Sequence, residues 1–295
     1  MIDNINFSEK LLLWYARHFP LRKGKLRLVE ALWRKVVEPG DHQRAAELAY
    51  GDFRMPCDLA EMLQRQFYFF GTYFVEEDIL DCWRGAAKGS RVILDVGANA
   101  GIYSLAALAV EPKARIHAFE PTPEIAERLR KTARLNGLCR LHVHEMAVSD
   151  KSGHAILRRY RGELGTNEGM NFVCTEPCNS GAHTVATICL DQFCEQQSID
   201  YVDLLKLDIQ GHEYAALTGA ESLIRDRRVG TIFMELNWGL AGTCSATGCI
   251  HLLQQAGYVF AKPAEYLRWQ EPGDWLHGLT DVVARPRLMR VLTAT

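Results

Sequence analysis

This chain of 295 residues lacks any long apolar run. The nearest, Leu11-Leu12-Leu13-Trp14-Tyr15-Ala16, falls far short of the roughly 20 residues a membrane-spanning helix needs. It has neither a basic lead-in nor a convincing small-residue cleavage site, so no transmembrane segment and no signal peptide are expected, and the expected location is cytoplasmic. An excess of either charge is missing too. The 34 Lys and Arg stand against 36 Asp and Glu, a net charge of −2, which gives no general pull toward nucleic acid. The nine cysteines contain no Cys-x-x-Cys pair. Their number is odd, and Cys174 with Cys178, Cys189 with Cys194, and Cys244 with Cys249 lack zinc-site spacing, so reduced thiols and no bound metal are expected. No internal repeat or low-complexity tract is present.

The length suits one α/β core plus an appended segment, and 48% hydrophobic with 24% charged residues is the balance of an ordinary globular protein. Two regions are expected: a helical extension over 1–85 and an α/β domain over 86–295. Pro20, Pro39-Gly40 and Pro56 break the first region into helical segments, and Leu26, Leu28, Val29, Leu32, Val36 and Val37 form an amphipathic stripe. The bases of this region (Lys10, Arg17, Arg22, Lys23, Lys25, Arg27, Arg34 and Lys35) fit a solvated cap, and leave contact with a membrane surface or an anionic glycolipid open.

From Lys88 onward, strands expected near 91–96, 115–120, 141–147, 202–208 and 229–236 alternate with helices near 101–110, 123–136, 188–196 and 211–226. That alternation argues for a mainly parallel sheet covered on both faces. Residues 150–186 carry Gly153, Gly162, Gly165, Gly169, Pro177 and Gly181 and read as a hairpin with a long mobile loop, the kind that serves as a lid. A helix near 246–256 and strands near 257–261 and 280–285 then close the sheet as an antiparallel edge pair.

The most informative stretch is Val92-Ile93-Leu94-Asp95-Val96-Gly97-Ala98-Asn99-Ala100-Gly101, followed by His117-Ala118-Phe119-Glu120-Pro121. It reads as a buried strand, a small-residue turn opening a helix, and a second strand ending in a carboxylate. The dinucleotide form G-x-G-x-x-G fails, because Asn99 and Ile102 stand where glycines are required. Asp95 at a strand end suits an ammonium and would repel a pyrophosphate. Gly97 and Gly101 allow close backbone approach, Ala98 keeps the turn small, and Asn99 can hold a left-handed turn. The backbone N–H groups at the helix start are expected to face the ligand's anionic group. Glu120 is placed to grip ribose hydroxyls, with a helix N-terminal acid ahead of Pro121 and Pro123 as its alternative. An ammonium together with a ribose favours S-adenosylmethionine. Met146 and Ala147, ending the third strand, are expected to border its adenine. Tyr258 and Lys262 match a Tyr-x-x-x-Lys dehydrogenase spacing, but on a strand they lie roughly 13 Å apart and cannot share a proton.

On these residues, with Ala147-Val148-Ser149-Asp150, Thr187-Ile188-Cys189-Leu190-Asp191, Lys206-Leu207-Asp208-Ile209-Gln210-Gly211-His212-Glu213 and Phe233-Met234-Glu235, the sequence resembles the FkbM-type S-adenosylmethionine-dependent methyltransferases from about Phe67 onward. The resemblance implies a class I methyltransferase fold, Rossmann-like, whose seven-stranded sheet has a reversed last strand. It also implies methylation of hydroxyls on sugars, glycans or complex natural products. Two departures stand out. Gln210 occupies a position where the family commonly has Glu, and Phe74 follows Gly71-Thr72-Tyr73 where many members carry an acid.

Methyl transfer to a hydroxyl also needs a proton acceptor. Asp208, ending the fourth strand, is the leading candidate, with Lys206 on the same side neutralising it; a helix cap near Gly211 is its structural alternative. His212 and Glu213 follow at a helix start and could orient the acceptor or take its proton. A Mg²⁺-assisted variant would use Asp208, Glu235 and Asn237. N-methylation and a catalytically silent cofactor-binding module are the other readings. The expected partner is a hydroxylated small molecule or glycan.

Overall fold

The first 87 residues fold into more than helices. Helices α1 (Phe7–His18) and α2 (Lys25–Val36) are followed by an antiparallel hairpin of β1 (Gln43–Glu47) and β2 (Arg54–Asp58), then α3 (Met62–Phe70) and α4 (Glu77–Ala87). The hairpin corrects the all-helical expectation, and its burial alternates with period two: Arg44 and Ala46 point inward from β1, Met55 and Cys57 from β2. Pro56 does not break it, because a two-stranded ribbon leaves one side of each strand free of ladder bonds. The inward face of α2 is Lys25, Val29 and Trp33, so Leu28 of the expected stripe lies 41% exposed.

Two inward-facing ion pairs fasten these helices. Glu9 accepts from Arg44 Nε at 2.9 Å and from the Tyr68 hydroxyl at 2.8 Å, while Arg65 donates to Glu30 at 2.8 Å. One apolar cluster then runs from Leu12 through Trp33, Phe67 and Trp83 to Ile93 and Ile116, so this segment and one face of the main sheet share a core.

The computed structural model describes residues 5–38, 40–158, 161–162, 165–166, 172–174, 182–236, 246–265, 268–276 and 280–287. Asn237 and most of the stretch expected as a long loop lie outside the described residues. Past α4 the chain alternates through β3 (Val92–Val96), α5 (Ile102–Val110), β4 (Arg115–Phe119), α6 (Pro123–Leu135) and β5 (Leu141–His144). A second sheet follows: β6 (Ala147–Val148), β7 (Gly153–Arg158), a two-residue pair β8 (Arg161–Gly162) and β9 (Gly165–Thr166), β10 (Phe172–Cys174) and β11 (Ala182–Ile188), of which β10, β7, β11 and β6 lie side by side. The main sheet then resumes with α7 (Leu190–Gln196), β12 (Val202–Leu207), α8 (Glu213–Thr218), α9 (Glu221–Arg225), β13 (Val229–Glu235), α10 (Ala246–Gln255), β14 (Tyr258–Ala261) and β15 (Asp281–Pro286).

Seven strands lie in the order β14-β15-β13-β12-β3-β4-β5, all parallel except β15, which runs antiparallel to both neighbours. The parallel sheet and its reversed closing strand match expectation. Two details differ. The strand expected over 141–147 divides, because Glu145-Met146 leaves the main sheet and β6 joins the second one. The helix expected over 211–226 is two, turning at Gly219-Ala220, where a Cβ on Gly219 would stand 2.1 Å from the Ser149 carbonyl oxygen. Asp191 restarts it by accepting from the Ser222 and Leu223 N–H groups at 2.9 and 3.0 Å, an N-terminal cap supplied from a distance.

The chain winds outward from β3 to β5, then returns to place β12 on the other side of β3. That reversal opens a crevice beyond the carboxyl ends of β3 and β12, where ligands bind in such sheets.

Candidate active site

A cavity of about 470 Å³ fills that crevice. The β3–α5 turn, the end of β4, the 146–148 segment and the β12–α8 loop form its walls, and Met62, Phe67, Tyr73 and Glu76 from the N-terminal segment close it.

The turn after β3 has the backbone expected of it. Gly97, Asn99 and Gly101 have φ of 79°, 47° and 84°. A Cβ at Gly97 would lie 1.9 Å from the Asp208 carbonyl oxygen, so this glycine lets the β3 turn and the end of β12 touch. Gly101 serves packing instead, with Leu129 against it, and does not line the cavity.

Several of the turn's N–H groups are taken up inside the protein, while Ala100, Ile102 and Tyr103 at the helix start line the cavity. The N–H groups of Gly97 and Ala98 donate to the Phe119 carbonyl, that of Asn99 to the Glu120 carboxylate, and that of Gly101 to the Ala98 carbonyl. The first three join the ends of β3 and β4, and the fourth closes the turn on itself.

Of the two acids expected to hold the cofactor, Glu120 lines the cavity and Asp95 does not. Glu120 accepts from Asn99 N at 3.1 Å with one oxygen and from Thr122 N at 2.8 Å with the other. Asp95 is fully buried, and one oxygen takes both the N–H and the hydroxyl of Ser104, at 3.1 and 2.6 Å. Its other oxygen has no hydrogen-bond partner among the described residues. Burial pushes its pKa up, opposed by Lys206 and by the Ser104 bonds. Asp95 therefore anchors the first turn of α5 beneath the cavity. Ala98, Pro121, Met146 and Ala147 all reach the cavity wall.

Across the cavity, Asp208 accepts from Lys206 Nζ at 2.8 Å and from Gln210 Nε2 at 3.1 Å, and Gln210 Nε2 also reaches Glu235 at 3.0 Å. Burial would raise the Asp208 carboxyl, but Lys206 and Gln210 hold it below its ordinary value. The Lys206 ammonium lies 4.4 Å from the Tyr103 ring centroid, a cation–π contact. Burial works against its charge, yet Asp208 and Asp95 raise its pKa.

The helix cap considered for Asp208 belongs to Glu213. Its Oε1 accepts from Ile209 N at 2.9 Å and Gly211 N at 3.2 Å, it is 3% exposed, and it does not line the cavity. The expectation that Glu213 faces the acceptor is thus corrected, because both loop amides claim its carboxylate. His212 does line the cavity, but its Nε2 lies 2.9 Å from Ser149 Oγ, which donates onward to Asp150. Burial lowers its pKa, and its free approach to an acceptor is restricted by that tether. Among the described residues no group of three His, Cys, Asp or Glu is arranged to hold a metal ion.

Glu76, Tyr103 and Asp281 also line the cavity and were not singled out from the sequence. The Tyr103 hydroxyl donates to Glu76 at 2.7 Å, and burial raises both Glu76 and Asp281 above ordinary carboxylates. A signal existed for Glu76. The acid expected soon after Gly71-Thr72-Tyr73 is Glu76, delivered by the 3₁₀ turn Phe74–Glu76.

Residues 95–260 match the Methyltransferase FkbM domain. Among curated proteins, the chain is similar to the 2-O-methyltransferase NoeI of Sinorhizobium fredii, at 29% identity over 160 residues, 50% of this chain and 65% of the relative. It is 23% identical over 173 residues to the hexuronic acid methyltransferase AglP of Haloferax volcanii, covering 56% and 64%. With the 31-O-demethyl-FK506 methyltransferase FkbM of Streptomyces tacrolimicus it shares 28% over 158 residues, covering 44% and 59%. The matched region spans less than two thirds of each relative. The chain belongs to the FkbM family of S-adenosylmethionine-dependent methyltransferases.

Proposed function

We propose that this enzyme methylates a hydroxyl group on a saccharide or similarly polyhydroxylated acceptor, with Asp208 receiving the hydroxyl proton. The carrying observation is the Asp208 carboxylate, kept ionised by Lys206 on the wall of the cavity that the Gly97–Asn99 turn and Glu120 also line. Two relatives' names support oxygen as the target, a 2-O-methyltransferase and a 31-O-demethyl-FK506 methyltransferase, and a hexuronic acid methyltransferase supports a saccharide.

The donor set fits the cofactor. Phe119, Met146, Ala147 and Val148 give an apolar wall suited to adenine, and Glu120 a carboxylate suited to the ribose diol. S-adenosylmethionine, when bound, would supply an electrophilic methyl group, its thioether leaving in line as the acceptor oxygen takes that carbon. The chain's part is to hold the acceptor oxygen against that methyl group and to receive its proton. A hydroxyl becomes strongly acidic only as its new carbon–oxygen bond forms, so a carboxylate of low pKa suffices as the base. Glu76 and Asp281, whose pKa burial raises, line the same cavity and can hydrogen-bond neighbouring acceptor hydroxyls.

Isotope-labelled methyl donor offered with saccharide, polyol and amine panels tests this reading, the labelled atom being located by NMR. Label on oxygen supports it, label on nitrogen favours N-methylation, and bound cofactor without transfer favours the silent module. Glu120→Ala is expected to weaken cofactor binding by well over tenfold in calorimetry, since charge-assisted bonds contribute about 1.5–3 kcal/mol each. Affinity within threefold of wild type would remove Glu120 from the ribose site.

A further inference from the structure

We propose that the outer face of α1 and α2 docks the enzyme onto an anionic lipid bilayer. Helix α1 is apolar on two opposite sides. Its inner side buries Leu12 and Ala16, while Phe7, Leu11 and Trp14, one helical face at spacings of four and three, are 79%, 56% and 57% exposed. Leu21, 64% exposed, follows the helix. Of the ten large hydrophobic side chains exposed among the described residues, eight fall between Phe7 and Val75. Single exposed leucines need no explanation; a clustered set does.

The charge around this face is predominantly positive. Over residues 5–38 seven Lys and Arg side chains are exposed, of which Arg22 pairs with Glu77 and Arg17 donates to the Glu47 and Tyr68 carbonyls, leaving Lys10, Lys23, Arg27, Arg34 and Lys35. Two of the three acids there, Glu9 and Glu30, are drawn onto Arg44 and Arg65, leaving Glu38 as the exposed one. The whole chain is nearly neutral, so these cations are segregated rather than typical. An apolar stripe rimmed by Lys and Arg matches the boundary between anionic headgroups and acyl chains. A second copy of the same face is a poor occupant, because it would bring like charges together.

The face adjoins the cavity. Arg22 pairs with Glu77 at 2.8 Å and donates to the Phe74 carbonyl at 3.3 Å. The turn it grips carries Val75, 56% exposed, and Glu76 on the cavity wall. Met62, 46% exposed, also lines the cavity. A bilayer on this face therefore sits near the cavity mouth, where a lipid-linked acceptor would be presented. The docking itself does not depend on what the acceptor is.

Sedimentation of the whole chain with sucrose-loaded vesicles tests the proposal. Pelleting is expected with phosphatidylcholine–phosphatidylglycerol vesicles, weakened by salt, and not with phosphatidylcholine alone. Leu11→Ser with Trp14→Ser is expected to cut partitioning by about tenfold or more, and Lys10→Glu with Lys23→Glu to do so independently. Leu135→Ser, at an exposed leucine elsewhere, should change nothing. Thermal melts confirm that each variant is folded, and the charge variant decides if the apolar one is not. No pelleting with anionic vesicles overturns the proposal, as does equal loss in Leu135→Ser. Equilibrium sedimentation showing self-association abolished by Leu11→Ser with Trp14→Ser would reassign the face to a second copy.

Discussion

Gly97→Ala is expected to reduce S-adenosylmethionine affinity by about a hundredfold or more, roughly 2.7 kcal/mol. Two costs combine. The left-handed backbone at this position strains any residue with a Cβ, by on the order of 1–3 kcal/mol. The new methyl group would also stand 1.9 Å from the Asp208 carbonyl oxygen, a backbone atom directly after β12 that cannot swing aside. Relief requires the turn and the β12 end to part, which breaks the contact joining the two halves of the cavity. Gly101→Ala should cost less, because the atom it meets is the tip of the Leu129 side chain. Isothermal titration with the cofactor and its demethylated product, beside thermal melts, checks both. A Gly97→Ala protein binding within threefold of wild type would mean that the turn does not position the cofactor.

How much of this was legible in the sequence depends on how local the determinant is. The β3 turn could be read because Gly97, Asn99 and Gly101 are consecutive, and their backbone demands are properties of residue type. The inner parallel strands β3, β4, β12 and β13 could be read because strands buried on both faces are near-continuous apolar runs. The β1–β2 hairpin was missed because five-residue strands flanked by helices carry a weak period-two signal, and Pro56 speaks against a strand unless the ribbon is known to have only two. The division of labour between Asp208 and Glu213 was not legible. Both are acids near one helix start, and only the fold shows that the Ile209 and Gly211 amides turn to Glu213. An acid at a strand end such as Asp95 suits an ammonium, whereas in the fold Ser104, nine residues on, takes one of its oxygens. For both acids, Glu213 and Asp95, a hydrogen bond to a nearby loop or helix start decided a role that residue type left open.

Asp208→Asn is expected to lower turnover by about 10²- to 10⁴-fold, the range for loss of a positioned general base, while cofactor affinity changes little. Asn keeps the size and can still accept from Lys206, but it cannot take a proton. The pH profile separates this role from a structural one. In the wild type Lys206, 2.8 Å away, holds Asp208 ionised despite its burial. The acid limb of kcat/KM should therefore lie below the ordinary carboxylate range of about 4. Lys206→Met removes the cation and leaves burial unopposed, so the Asp208 pKa rises. Because the ionised form is the active one, activity should then be lost at a higher pH than in the wild type, the limb moving upward by a unit or more, about 1.4 kcal/mol. Breaking a partly buried pair also costs stability, of order 3–5 kcal/mol when fully buried, so the profile is to be measured well below the variant's melting temperature. An Asp208→Asn enzyme that turns over within threefold of wild type, or a Lys206→Met limb that does not move, would show that the proton leaves by another route, with His212 the next group on the cavity wall.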